Sequence, residues 1–187
     1  MEITLAVLGD LGRSPTECMA ALNATQIERI EYLATDAWVV DSGSPDDDTV
    51  SNANFTRVLN AMSSIELHHF ACNFNWDCGT DELAAVVDHP ECDAGTALMI
   101  FWLGQPAHYF RAHKRNKLTE SETPVFAWLD SIARRLVSGD FSCCNIACDP
   151  FDIMGQPFAT GSDRERELID ARLYDKLQGE SIVPHLC

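Results

Sequence analysis

Residues 73–104 constrain the fold more than any other stretch of the chain. They read Asn73-Phe74-Asn75-Trp76-Asp77-Cys78-Gly79, an amphipathic run, His89-Pro90-Glu91-Cys92-Asp93-Ala94-Gly95-Thr96-Ala97-Leu98, and the apolar Met99-Ile100-Phe101-Trp102-Leu103. The pattern couples two turn signals to two helices. Asn75, Asp77 and Gly79 are turn formers, and the Asp77 carboxylate is expected to fold back onto backbone N–H groups at the next helix start. Thr80 or Asp81 suits the N-cap of a helix through Val87. Asp88-His89-Pro90 stops it, because the residue before a proline avoids the α region. Asp93 then caps a second helix, apolar from Ala97 to Leu103. Asn75, Trp76, Asp77, Gly79, Asp93 and Gly95 are therefore expected to build the fold.

The rest reads as helix almost throughout. Ser14-Pro15-Thr16-Glu17 has the form of a helix start, for a helix reaching about Asn23. Thr25 suits the cap of another, with Ile27, Ile30, Leu33, Ala34, Ala37 and Trp38 on one face. Gly43, Pro45 and the acids Asp46, Asp47 and Asp48 mark an acidic linker or loop over residues 41–52. Phe55, Val58, Leu59 and Met62 restart the helical stripe, continued by Ile65 and Phe70 with Leu67 off to one side. Glu122-Thr123-Pro124 opens a helix with a broad apolar face that Gly139 ends. Pro150, Gly155, Pro157 and Gly161 make residues 140–161 an irregular connection. Ser162 or Asp163 then caps a last helix burying Leu168, Ile169, Leu173 and Leu177. Ile3 to Leu8 is the one candidate strand, without a partner. Trp38, Trp76, Trp102 and Trp128 read as core anchors. The expected fold is a single all-α domain over 1–187, its helical pairs packed as a compact bundle or a short helical-repeat array.

Charge narrows the partners. The 187 residues carry a formal net charge of −16, and 46% of them are hydrophobic. Such a chain folds as a globule and repels phosphate backbones, so no nucleic-acid partner is expected. The basic run Arg111, His113, Lys114, Arg115 and Lys117 reads as a solvated loop after a helix. An acidic surface instead suits a basic protein partner. No stretch reaches the length of a membrane span. Met1-Glu2-Ile3-Thr4 opens with an acid, and Leu5 to Leu8 is too short for a secretory core, so a cytoplasmic location is expected.

Eight cysteines, Cys18, Cys72, Cys78, Cys92, Cys143, Cys144, Cys148 and Cys187, fit buried thiols in a reducing compartment. His68, His69 and Cys72 stand close together on a helix, and Cys78, His89 and Cys92 follow, all of types zinc accepts. No Cys-x-x-Cys pairs reinforce them, so neither a metal nor another cofactor is expected. Cys78 precedes a helix N-terminus, where a thiolate is stabilised, and His89, His69 and Asp77 would complete a Cys–His–acid set.

Asn-Trp-Asp-x-Gly at residues 75–79, then Pro-x-Cys-Asp-x-Gly-Thr-Ala-Leu at 90–98 and an aromatic-rich helix, resembles the bacterial family of domain of unknown function 4274. The resemblance spans about Leu67 to Phe110, and Gly104-Gln105-Pro106 departs from its more acidic ending. It implies a small helical module over 67–110 and no reaction. Such modules occur in bacterial proteins linked to polymorphic toxin systems, which implies an antitoxin or immunity role. Two functions follow as expectations. The first is a non-enzymatic binding protein, an immunity protein that neutralises a cognate toxin by direct binding. Glu82, Asp88 and Glu91, joined by Asp46, Asp47 and Asp48, are its expected contacts. The second is a small cysteine-dependent hydrolase or thiol enzyme built on Cys78 and His89.

Overall fold

Ten residues that are apolar on every side of a helix must sit at the centre of a fold. In the computed structural model, which describes residues 22–40 and 48–182 apart from the side chains of Val40, Asp48 to Ser51 and Cys78, they do. Nine α-helices are seen among these residues: α1 (Ala24–Ala34), α2 (Ala37–Val40), α3 (Asp48–Leu59), α4 (Ser64–Cys72), α5 (Asp81–Asp88), α6 (Ala94–Leu103), α7 (Pro106–Lys114), α8 (Glu122–Ser138) and α9 (Asp163–Arg166). Two 3₁₀ turns, Trp76–Cys78 and Ala171–Tyr174, complete the described elements. Every residue of α6 from Gly95 to Trp102 is buried. Helices α4, α5, α7 and α8 pack directly on it.

Its remaining face is covered by the irregular C-terminal segment. The Trp102 indole N–H donates to the Leu173 carbonyl at 2.9 Å, and its ring lies 5.1 Å from that of Tyr174. That segment is tied down by isolated bridges, Asp93 with Cys143, Ile146 with Glu180 and Cys148 with Leu177. The fold is all-α, and no strand longer than these bridges occurs among the described residues.

Local chemistry moves several boundaries. The first described helix is capped by Asn23, not Thr25: Asn23 and Gln26 exchange side-chain-to-backbone bonds in a capping box. It breaks at Asp36, which adopts a left-handed φ of 55°, so Ala37 and Trp38 belong to α2. The acidic linker is shorter than 41–52, since α3 begins at Asp48. Asp46 and Asp47, the Ser14 helix and the Ile3 strand lie outside the described residues. The stripe from Phe55 to Phe70 is two helices, because Ser63 and Glu66 form a second capping box that starts α4. That restart turns Leu67 fully inward. Arg111 to Lys114 are helical, not loop: Pro106 occupies the first turn of α7, where its missing N–H is harmless. The helix expected after Ser162 stops at Arg166. Asp170 then takes an extended conformation and caps a separate turn with its side chain on the Arg172 N–H, at 3.0 Å.

Gly79 is a conformational requirement. Its φ of 104° and ψ of −155° lie where side chains are essentially not tolerated. Gly79→Ala is expected to cost about 1–3 kcal/mol of unfolding free energy, although no atom crowds the site. Urea denaturation checks this, with an unchanged midpoint as the contrary result.

Candidate functional site

Two of the motif residues, Asp93 and Gly95, form a backbone clamp. Asp93 ends an extended turn and is completely buried. Its Oδ1 accepts from the Gly95 N–H at 2.7 Å, as an N-cap does. Its other bonds reach across the chain: Oδ2 accepts from the Asn145 N–H at 2.6 Å, and Oδ1 from the Ile146 N–H at 3.3 Å. The Ala94 N–H donates to the Cys143 carbonyl at 2.9 Å beside them. The same close approach explains Gly95. A Cβ there would overlap the Ile146 carbonyl oxygen and stand 2.9 Å from its carbon. Asp-x-Gly thus holds segment 143–146 against the start of α6.

At the preceding turn the cap is Asn75, whose Oδ1 accepts from the Asp77 N–H at 3.1 Å. Asp77 is exposed and contributes its backbone N–H there, and the start of α5 at Thr80, where its carboxylate is expected to bond, has no side-chain capping bond. Trp76 is half-buried and meets Phe74 edge-on at 6.3 Å.

The expected acidic contacts divide. With Leu83, Val86 and Val87 buried, Asp81 and Asp88 lie on the outward side of α5, and Ala84 and Ala85 between them are half-buried, Ala85 against the core. Asp81, Asp88 and the following Glu91 are exposed. Asp88 is shared with Arg135, whose Nη1 lies 2.9 Å from its Oδ1. Glu82 falls at the border of that side. It is half-buried, and its Oε2 turns inward without a hydrogen-bond partner. Asp81, expected as a cap within the acidic group and not as a preferred contact, thus takes the outward place expected of Glu82. A helical wheel of Asp81–Asp88 would have found it.

The thiols and imidazoles are dispersed. Cys78 and His89 stand at opposite ends of the eight-residue α5, whose axis is about 12 Å long. His89 Nδ1 already accepts from the Glu91 N–H at 3.1 Å, and burial lowers its pKa. His68 is pushed to a pKa of about 4, chiefly by burial and then by His69. Its neutral ring meets the Thr96 hydroxyl at 3.0 Å through Nδ1. The Cys72 thiol lies 3.5 Å from the Met99 sulfur. Both helix residues face a cleft of about 460 Å³ shared with Cys148, Asp149 and Lys176 of the C-terminal segment. Burial pushes the Cys92 and Cys148 thiols up to about 12, so both are protonated near neutral pH. Among the described residues no three His, Cys, Asp or Glu side chains are placed to hold a metal, and no helix is long and apolar enough to cross a membrane.

Opposite this cleft the chain uses Glu66, which the sequence reading passed over. It is 1% exposed and accepts from Arg29 Nε at 2.8 Å, the Ser63 N–H at 2.9 Å, the Ser63 hydroxyl at 2.7 Å and Gln26 at 3.3 Å. Ser63-x-x-Glu66 is the capping-box signature that would have revealed it.

Residues 62–137 match the model of the family described as Domain of unknown function (DUF4274). The match reaches beyond the motif at 67–110 to take in α7 and nearly all of α8. The Asn145 and Ile146 N–H groups that Asp93 binds lie past its end. No curated protein and no solved structure matches the chain.

Proposed function

From the match of residues 62–137 to that family model, we propose that the chain is a non-enzymatic binding protein of the bacterial cytoplasm, an immunity protein that covers a basic cognate toxin. The observation that carries this reading is the outward side of α5. Asp81 and Asp88 are exposed there, and Glu91 extends the acidic edge. The exposed carboxylates select lysine and arginine and steer the encounter. The motif residues Asn75, Asp93 and Gly95 are engaged with the protein's own backbone, which makes them scaffold for this face.

The test is calorimetry at low salt of the full chain against the protein encoded by the adjoining gene. A complex is expected. Reversing Asp81, Asp88 and Glu91 to lysine weakens it at least about tenfold, or ~1.4 kcal/mol, without changing the far-ultraviolet circular dichroism. Added salt slows association, because exposed charges are screened beyond about 10 Å at ~0.1 M. Unchanged affinity in the triple variant moves the interface elsewhere. Absence of a complex, with hydrolytic turnover that Cys78→Ala abolishes, replaces this reading with the thiol-enzyme alternative.

A further inference from the structure

Carboxylates outnumber lysine and arginine 29 to 13 in this chain, yet Arg57, Arg111, Arg115, Arg164 and Arg166 make no ion pair among the described residues. Arg29, Arg134, Arg135, Arg172 and Lys176 each have a carboxylate partner. Three of the five without an ion pair gather in one place. Arg111, Arg115 and Arg164 line a single cleft of about 540 Å³ with Lys114, Glu167 and Leu168. None of the three makes an ion pair among the described residues. The one carboxylate in the cleft, Glu167, is met only by Lys114, at a loose 3.7 Å with both side chains more than half exposed.

The C-terminal end of α7 accounts for a cation at Arg111 or Lys114, since cations are stabilised there. It does not account for Arg164, which the irregular segment 140–161 returns to the same cleft from α9. We propose that this cleft is a binding site for a compact, multiply charged phosphate ligand. The guanidinium fork matches phosphate oxygens in pairs, and three forks with an ammonium around one concavity suit two linked phosphates. The volume is that of a small-molecule site, and a cleft lined by one sign of charge focuses the local field despite the acidic whole. A long nucleic acid would also meet the surrounding negative surface, which disfavours it against a compact ligand. None of these residues belongs to the acidic side of α5, so the two surfaces stand or fall separately.

The experiment is titration of the full chain with inorganic pyrophosphate, by calorimetry, at salt of about 50 mM so that screening is weak. Saturable one-to-one binding is expected, tighter than for orthophosphate. The variant Arg111→Gln/Arg164→Gln binds at least tenfold more weakly, while its thermal midpoint without pyrophosphate is that of the parent. The variant Arg57→Gln/Arg134→Gln removes the same charge elsewhere and keeps the parent affinity. An equal loss in both variants would show a net-charge effect and overturn the site. So would the absence of binding heat, or tighter binding of a short DNA duplex with the same arginine dependence.

Discussion

Alanine at Gly95 destabilises the protein by about 3 kcal/mol or more, the sum of overpacking and of broken backbone bonds. Local propensity alone gives the opposite sign, since alanine is the better helix former by about 1 kcal/mol. The contact decides. The new methyl displaces the Ile146 carbonyl, and with it the bonds that carry Asn145 and Ile146 to Asp93. Hydrogen exchange provides a local readout: the Asn145 and Ile146 amides lose protection first, before α8 does. Gly139→Ala is the comparison, at a helix C-cap with a φ of 76° and no atom nearby. It costs only about 1 kcal/mol, from the backbone conformation. Equal midpoints for Gly95→Ala and the parent in urea would refute the clamp.

Removing the Glu66 carboxylate as Glu66→Ala costs about 3–5 kcal/mol, because the Arg29 guanidinium is left without its buried partner. In a chain of this size that lowers the melting temperature by roughly 6–20 °C. The double variant Arg29→Met/Glu66→Leu recovers much of the loss, since an apolar pair needs no compensation. The same carboxylate makes stability depend on pH. Burial alone would raise its pKa, but bonds from Ser63, Arg29 and Gln26 outweigh it and bring the pKa below the ordinary value of 4.5. The unfolded chain therefore takes up the proton first. The contribution of Glu66 is present in full above pH 4.5 and is lost as pH falls through the lower folded value. Denaturant titrations at a series of acidic pH values check this: Glu66→Ala has a flatter pH dependence than the parent there, and parallel curves would exclude it.

Helix class and most of the core were legible from periodicity. Phe55, Val58, Leu59, Leu129, Ile132 and Ala133 are buried where their spacing put them. Asp93 was legible as a cap, because capping needs only its own neighbours in sequence. Its second task was not. The N–H groups it binds lie 52 and 53 residues further on, in a segment whose glycines and prolines signal irregularity without revealing where it docks. Gly95 was singled out from its motif, but the carbonyl that forbids a side chain there belongs to that same segment. The cleft between α7 and α9 was hidden for the same reason. Arg111 and Arg115 were read as a solvated run, since nothing local to Arg164 says that it returns to them. Asp77 shows the opposite error. A residue fit for a turn was given a bond to the start of α5, whereas the side-chain bond of this turn runs from the Asp77 N–H to Asn75 and α5 starts without a side-chain cap.

The central position of α6 sets an order of events during synthesis. Its Trp102 finds the carbonyl that accepts its N–H only 71 residues later. At ordinary ribosomal speeds that acceptor follows on the order of ten seconds behind. For that interval a helix apolar on every side lacks the segment that closes its last face. The nascent chain thus passes through a window in which its most hydrophobic element stands partly open to other chains. Slower translation between α8 and the Ala171–Tyr174 turn lengthens that window, and aggregation grows with it.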